Sequence, residues 1–332
     1  MTYLNYIKFN LTIKSFINKI IKKMENYNPN SDVEELRNAI KPKKDEDKII
    51  KIIANRTNAQ RQLIKEMYNN LYQSDLIKDL QKALSGHFED VVIALFYNPV
   101  DYDCYQLRKA VKGLGTDEET LIEILCTRPP NIIEEIKKRY SEIYPGRTLL
   151  KDVEDDTSGH FKKVLVALIE AKRPMDNNKT LDYEECEKCA KMLYEAGEKR
   201  LGTDENVFTS IFTEKSPKEF TCIAQLYYKL TKHTLLQAVE KEFSRDSKKC
   251  LIAIIYALLN PSEFFAKSVY KSVKGIGTNN NTLIRILVTR DEVDMPQIKQ
   301  FYRQLYKKDM IEDIKDDTSG YYRKILVELA SH

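Results

Sequence analysis

The chain has 332 residues, of which 42% are hydrophobic and 31% charged, with only 10 Gly and 10 Pro. That balance supplies a real core and excludes collagen-like, low-complexity and largely disordered chains, and no apolar run approaches the roughly 20 residues that span a bilayer. The net charge is +4, but residues 1–24 hold five Lys and no acid, so the remaining body is near neutral and is not a surface built throughout for nucleic acid.

Six Cys without regular spacing do not form a disulfide framework and suit a reducing, cytoplasmic setting, and four scattered His leave little room for a zinc site. The first predicted element is a basic amphipathic arm within residues 1–30. Ile13, Phe16, Ile17, Ile20, Ile21 and Met24 recur at steps of three and four, with Lys14, Asn18, Lys19, Lys22 and Lys23 largely on the other faces. Such a helix suits an anionic membrane, a partner's hydrophobic groove, or packing on the protein's own body. A cleaved targeting peptide fits less well, since Arg and a long apolar core are both missing.

Beyond the arm the sequence repeats itself four times. IIKIIANR from Ile49, LIEILCTR from Leu121, FTSIFTEK from Phe208 and LIRILVTR from Leu283 align without gaps, each ending on a basic residue. Downstream in each repeat comes a second marker, from Ser85, Ser158, Ser244 and Ser319, and a third marker lies ten residues ahead of each of these. The expected division is 31–98, 99–171, 186–260 and 261–332, with a polar linker over 172–185. Asn98-Pro99 and Asn260-Pro261 mark junctions, because proline ends a helix at or before the preceding residue. The pattern inside every repeat is helical, about five short helices each, and the apolar stripes read as core. Thr116 to Glu119 reads as a Thr-x-x-Glu capping box, and Thr157 or Ser158 as the N-cap of the last helix of the second repeat.

Chemistry is expected where the helical pattern breaks. KGLGTDEE from Lys112, KRLGTDEN from Lys199 and KGIGTNNN from Lys274 lie between the first and second helices of repeats II, III and IV. Glycines there allow tight turns that leave carbonyl oxygens outside any helix, and such hard oxygens suit calcium. A second set of oxygens, Asp156, Glu242 and Asp317, stands two residues ahead of the aligned Ser. A carboxylate from one loop can cap the carbonyls of the other if the two lie side by side. A phosphate-cradling P-loop needs Gly-Lys-Ser/Thr after a strand, and an EF-hand needs its acidic twelve-residue loop; neither pattern is present.

Four repeats of about 70 residues, with Gly-x-Gly-Thr and a downstream Asp-Thr-Ser-Gly in the second and fourth and a variant in the third, resemble the annexin family, over roughly residues 31–332. The resemblance implies an all-α fold of four five-helix repeats in a slightly curved disc. It implies calcium sites on the convex face and reversible, calcium-dependent binding to acidic phospholipid, with calcium bridging protein and lipid phosphate. Carried over by position, it implies carbonyls of Val111, Gly113 and Gly115 with the Asp156 carboxylate in repeat II. In repeat III it implies Gly197, Arg200 and Gly202 with Glu242, and in repeat IV Val273, Gly275 and Gly277 with Asp317. Repeat I departs from the pattern: Lys41-Pro42-Lys43-Lys44 replaces the glycine loop and Ala83 the carboxylate, so no such site is expected there.

The expected function is therefore that of a peripheral membrane protein, cytoplasmic and recruited to membranes as calcium rises, with no enzymatic activity and no nucleic-acid partner. In some annexins an N-terminal helix binds a dimeric EF-hand protein, which makes a protein partner for the arm the further expectation. A cytoskeleton-associated protein with calcium secondary is the main alternative. A calcium channel is a weaker one, since no span is apolar enough to insert without refolding. Cys186-x-x-Cys189 has no second pair and reads as two helix-surface cysteines.

Overall fold

The computed structural model describes residues 27–41, 44–175, 180–275 and 277–332. The expected N-terminal stripe, Ile13 to Met24, lies outside the described residues. Among those described, the chain forms twenty helices, five per repeat, and one isolated bridge between Gly275 and Gly277. Repeat I comprises α1 (Pro29–Ile40), α2 (Glu46–Ile53), α3 (Asn58–Tyr72), α4 (Leu76–Ala83) and α5 (Gly86–Leu95). Repeat II comprises α6 (Pro99–Ala110), α7 (Glu118–Thr127), α8 (Pro130–Ile143), α9 (Leu149–Asp156) and α10 (Gly159–Ile169). Repeat III comprises α11 (Tyr183–Ala196), α12 (Glu205–Glu214), α13 (Pro217–Thr231), α14 (Leu235–Glu242) and α15 (Arg245–Leu259). Repeat IV comprises α16 (Pro261–Val273), α17 (Asn280–Arg290), α18 (Met295–Tyr306), α19 (Met310–Asp317) and α20 (Gly320–Ala330). Two compact units divide between Phe96 and Tyr97.

Short helices of this kind need explicit end signals, because nucleation is costly and each terminus leaves backbone groups unsatisfied. Asn98 accepts from the Val100 N–H and Pro99 opens α6, while Pro261 opens α16. Reciprocal capping boxes begin α3 (Thr57 and Gln60), α13 (Ser216 and Glu219) and α14 (Thr234 and Gln237). The Ser residues of the second marker occupy the N-cap position of α5, α10, α15 and α20, but none makes a side-chain cap bond. In repeat II Thr157 instead bonds backward to the Val153 carbonyl.

The basic residue that closes each first marker anchors the repeat. Arg56 grips Asp32 of α1 through two bonds of 2.6 and 2.9 Å, and Arg128 grips Asp103 of α6 at 2.7 and 2.8 Å. Lys215 pairs with Glu185 of α11, whereas Arg290 turns to Asp294, four residues on, instead of to the first helix of its repeat. In the larger unit one hydrophobic cluster runs from Cys104 on α6 to Ile255 on α15, so repeats II and III share a core. Repeat IV is joined to repeat II by Arg285, fully buried and bidentate to Glu123 at 2.9 and 2.7 Å. The expected surface placement of Cys186 and Cys189 is wrong. Both belong to the buried face of α11, where thiols act as small hydrophobes. Burial pushes both thiols up in pKa, Cys186 to about 12.

Candidate functional site

Every repeat closes its first interhelical loop in the same way: the backbone N–H of the next helix's N-cap residue returns to a carbonyl at the end of the first helix. Asp45 donates to Ala39 (2.9 Å), Asp117 to Ala110 (2.9 Å), Asp204 to Ala196 (2.8 Å) and Asn279 to Ser272 (2.8 Å). The loop so closed is one residue longer in repeat III than in repeats II and IV, and one shorter in repeat I. In the three long loops the residue before Thr lies in the left-handed region, with φ of 87° at Gly115, 78° at Gly202 and 79° at Gly277. A side chain there would strain the backbone, so glycine is the residue the turn requires.

These loops lie against the ends of the fourth helices. Asp156, Glu242 and Asp317 are the last residues of α9, α14 and α19, and Ala83 is the last of α4. A threonine ties loop to helix end each time. Thr116 Oγ1 donates to the Asp156 carbonyl at 2.9 Å, Thr203 Oγ1 to Glu242 Oε2 at 2.6 Å, and Thr278 Oγ1 reaches both the Asp317 carbonyl (3.0 Å) and its Oδ2 (2.6 Å). This corrects the expected capping box. The N-cap of α7 is Asp117, whose carboxylate accepts from the Thr120 N–H, because Thr116 is drawn across to α9. The sequence reading gives Thr116 a capping role and gives none of the three threonines a bridging one, although a Thr directly after Gly in all three loops is the available signal.

The remaining site residues fall around these contacts. Val111 is the C-cap of α6, Gly197 the C-cap of α11 and Val273 the last residue of α16. Gly113, Gly115, Arg200, Gly202, Gly275 and Gly277 lie in the loops. Arg200 sits 4.0 Å from Asp204, a loose and exposed pair. At Gly197 a Cβ would meet Phe208 at 3.2 Å and Glu242 at 3.3 Å, so loop and carboxylate-bearing chain approach as closely as glycine allows. Asp156 Oδ2 is buried and lacks a hydrogen-bond partner. An unpaired buried carboxylate oxygen is costly, and a hard cation is the partner its chemistry suits. The donor set therefore fits calcium. Among the described residues no group of three or more His, Cys, Asp or Glu side chains is placed to hold a metal. Each loop offers one carboxylate, so backbone oxygens would supply the remainder.

Repeat I has neither half. Lys41 bonds Asp79 Oδ1 at 3.0 Å, and Asp79 also accepts from Ser74, Tyr68 and Arg37. Burial alone would raise the Asp79 pKa, but the bonds from Ser74, Lys41 and Tyr68 hold it at about 2. At the tips of two long loops, Leu114 and Leu201 are fully exposed.

Fold and loops together define a four-repeat, all-α protein with three candidate cation loops. The annexin family profile matches residues 31–95, 102–168, 188–254 and 264–329. Human annexin A7 is 41% identical over 98% of this chain, which spans 66% of that relative's length. A solved structure of annexin III superposes with a TM-score of 0.89 at 35% identity, covering 92% of this chain and 95% of that one. A calcium-bound annexin (Sm)1 superposes with a TM-score of 0.83 at 30% identity, covering 92% and 90%. The chain belongs to the annexin family. Among its described residues no helix is long and apolar enough to cross a membrane.

Proposed function

We propose that this protein binds acidic phospholipid membranes peripherally when calcium is present. Carbonyls of Val111, Gly113 and Gly115 with Asp156 would hold one ion, those of Gly197, Arg200 and Gly202 with Glu242 a second, and those of Val273, Gly275 and Gly277 with Asp317 a third. The observation that carries the reading is the buried, unpartnered Oδ2 of Asp156 beside a loop tied to the same residue. The calcium-bound state of annexin (Sm)1 supports it. Bound calcium supplies positive charge and open coordination positions for lipid phosphate.

One carboxylate per site makes affinity without lipid weak, on the order of 10⁻⁴ M or poorer. Lipid and calcium then tighten each other by the same factor, and several weak sites acting together steepen the calcium response. Leu114 and Leu201, exposed at the loop tips, suit contact with the apolar edge of the interface. The protein would act at the cytoplasmic face of membranes. Co-sedimentation with phosphatidylserine vesicles tests this: binding in calcium that is reversed by chelator is expected. Equal sedimentation in both would reject it in favour of a cytoskeletal role.

A further inference from the structure

Repeat II contains an open basic cleft that the calcium reading does not use. It has a volume of about 660 Å³ and lies between the end of α6 and the corner joining α8 to α9. Its polar walls are Tyr105, Arg108, Lys109, Lys112, Tyr144 and Arg147; four of its eight lining residues are cationic and none is acidic. The nearby Asp152 offsets only part of this charge, through the two arginines. It already accepts from Arg108 (2.9 Å), Arg147 (3.0 Å) and Tyr140 (2.7 Å). Among the described residues Lys109 meets only the neutral Asn281 amide oxygen, at 3.5 Å. Lys112 has no ion pair or hydrogen bond among the described residues.

The corresponding place in repeat IV shows that this opening is not imposed by the fold. There Tyr270 stands where repeat II has Arg108 and stacks on Tyr306 at 3.6 Å, with the rings 5° from parallel. Lys274 and Lys308 both turn to Asp313, at 2.8 and 4.0 Å. In repeat II the Arg108 guanidinium lies 6.0 Å from the Tyr144 ring centre.

We propose that the repeat II cleft binds a multiply phosphorylated polyol without calcium. Clustered Arg and Lys donors recognise phosphate oxygens, with Arg offering a planar fork and Lys a mobile point charge. The volume is that of a small-molecule site. A flat base is disfavoured: Tyr97 stacks on Tyr105, and Arg108 lies over Tyr144. The ligand is recognised by charge and hydroxyl hydrogen bonding, either as a lipid headgroup or free in solution.

Calorimetry in chelator tests this apart from any calcium site. Full-length protein is titrated with inositol 1,4,5-trisphosphate, and separately with phosphatidylcholine vesicles containing phosphatidylinositol 4,5-bisphosphate. One site for the free trisphosphate is expected, weakened about tenfold or more in K109Q/K112Q at an unchanged melting temperature. Vesicle binding lost in the same variant assigns a lipid source; binding of the free compound alone assigns a soluble one. Absence of binding to both probes overturns the proposal. So does an equal loss in K307Q/K308Q, which removes the same charge from the filled corner of repeat IV.

Discussion

Repeats I and II share one frame and part company at one end of it. Both fix the second helix to the first by a bidentate arginine, Arg56 to Asp32 and Arg128 to Asp103. Both bury a tyrosine whose hydroxyl donates to an aspartate of the fourth helix, Tyr68 to Asp79 and Tyr140 to Asp152. Both close the first loop by the same backbone bond. Yet repeat I ends its fourth helix on Ala83 and ties Lys41 to Asp79, whereas repeat II ends on Asp156 and leaves Lys112 without an ion pair among the described residues. The frame therefore folds without the loop carboxylate. What is common to the two repeats serves stability, and what differs is available for binding.

The largest expected effect comes from breaking the common part. Asp103→Ala would strand the Arg128 guanidinium, which is largely buried with its partner. Removing one member of such a pair costs about 3–5 kcal/mol. Urea unfolding should show that loss, and a change under about 1 kcal/mol would remove the pair from the frame.

Next comes the part that differs. Asp156→Asn and Asp317→Asn should each raise the calcium needed for half-maximal vesicle binding a few fold, and the double variant about tenfold or more, because avidity falls with each site lost. Stability without calcium should stay within about 0.5 kcal/mol. An unshifted midpoint in the double variant would take both residues out of the site.

Much of this division was legible in the residues. The helical period and the four aligned markers pointed to the all-α repeats, since burial of one apolar face per short helix leaves a strong periodic trace. Gly115 and Gly277 were legible because a left-handed backbone position nearly demands glycine. Illegible were the contacts that depend on which neighbour wins a side chain. Thr116 satisfies the capping pattern locally, but α9 offers it the Asp156 carbonyl, and Asp117 takes over the cap. Cys186 and Cys189 fit either face of a helix by type, and only the packing of α11 selects the buried one. The repeat II cleft left no motif at all, since it depends on Arg108 standing where repeat IV has Tyr270.

A smaller effect is the response of repeat I to pH. Asp79 titrates at about 2 in the folded protein, below the roughly 3.9 of an unfolded aspartate. A depressed folded pKa gives stability that is complete above the unfolded value and lost as pH falls through the folded one. Melting temperatures should therefore fall between about pH 4 and 2 partly through this group. Asp79→Asn should lower stability at neutral pH and flatten that acid limb; an unchanged limb would mean that the Ser74, Lys41 and Tyr68 bonds do not govern it.

The smallest expected effect is none, and it is the most discriminating. Ala83→Asp restores to repeat I the carboxylate that repeats II and IV carry at the end of the fourth helix. If one carboxylate were enough to make a site, this change would add a calcium ion to the stoichiometry. The first loop of repeat I, however, has Lys41 where Gly113 or its equivalents should begin, is one residue shorter than in repeat II, and holds its lysine on Asp79 at 3.0 Å. A new aspartate there would meet a cation rather than free carbonyls, and calcium needs several oxygens at once. Calorimetric calcium titration on phosphatidylserine vesicles should give the same stoichiometry for A83D as for the natural chain. An additional ion would show that the carboxylate alone decides the site and that the glycine loop is a passive turn.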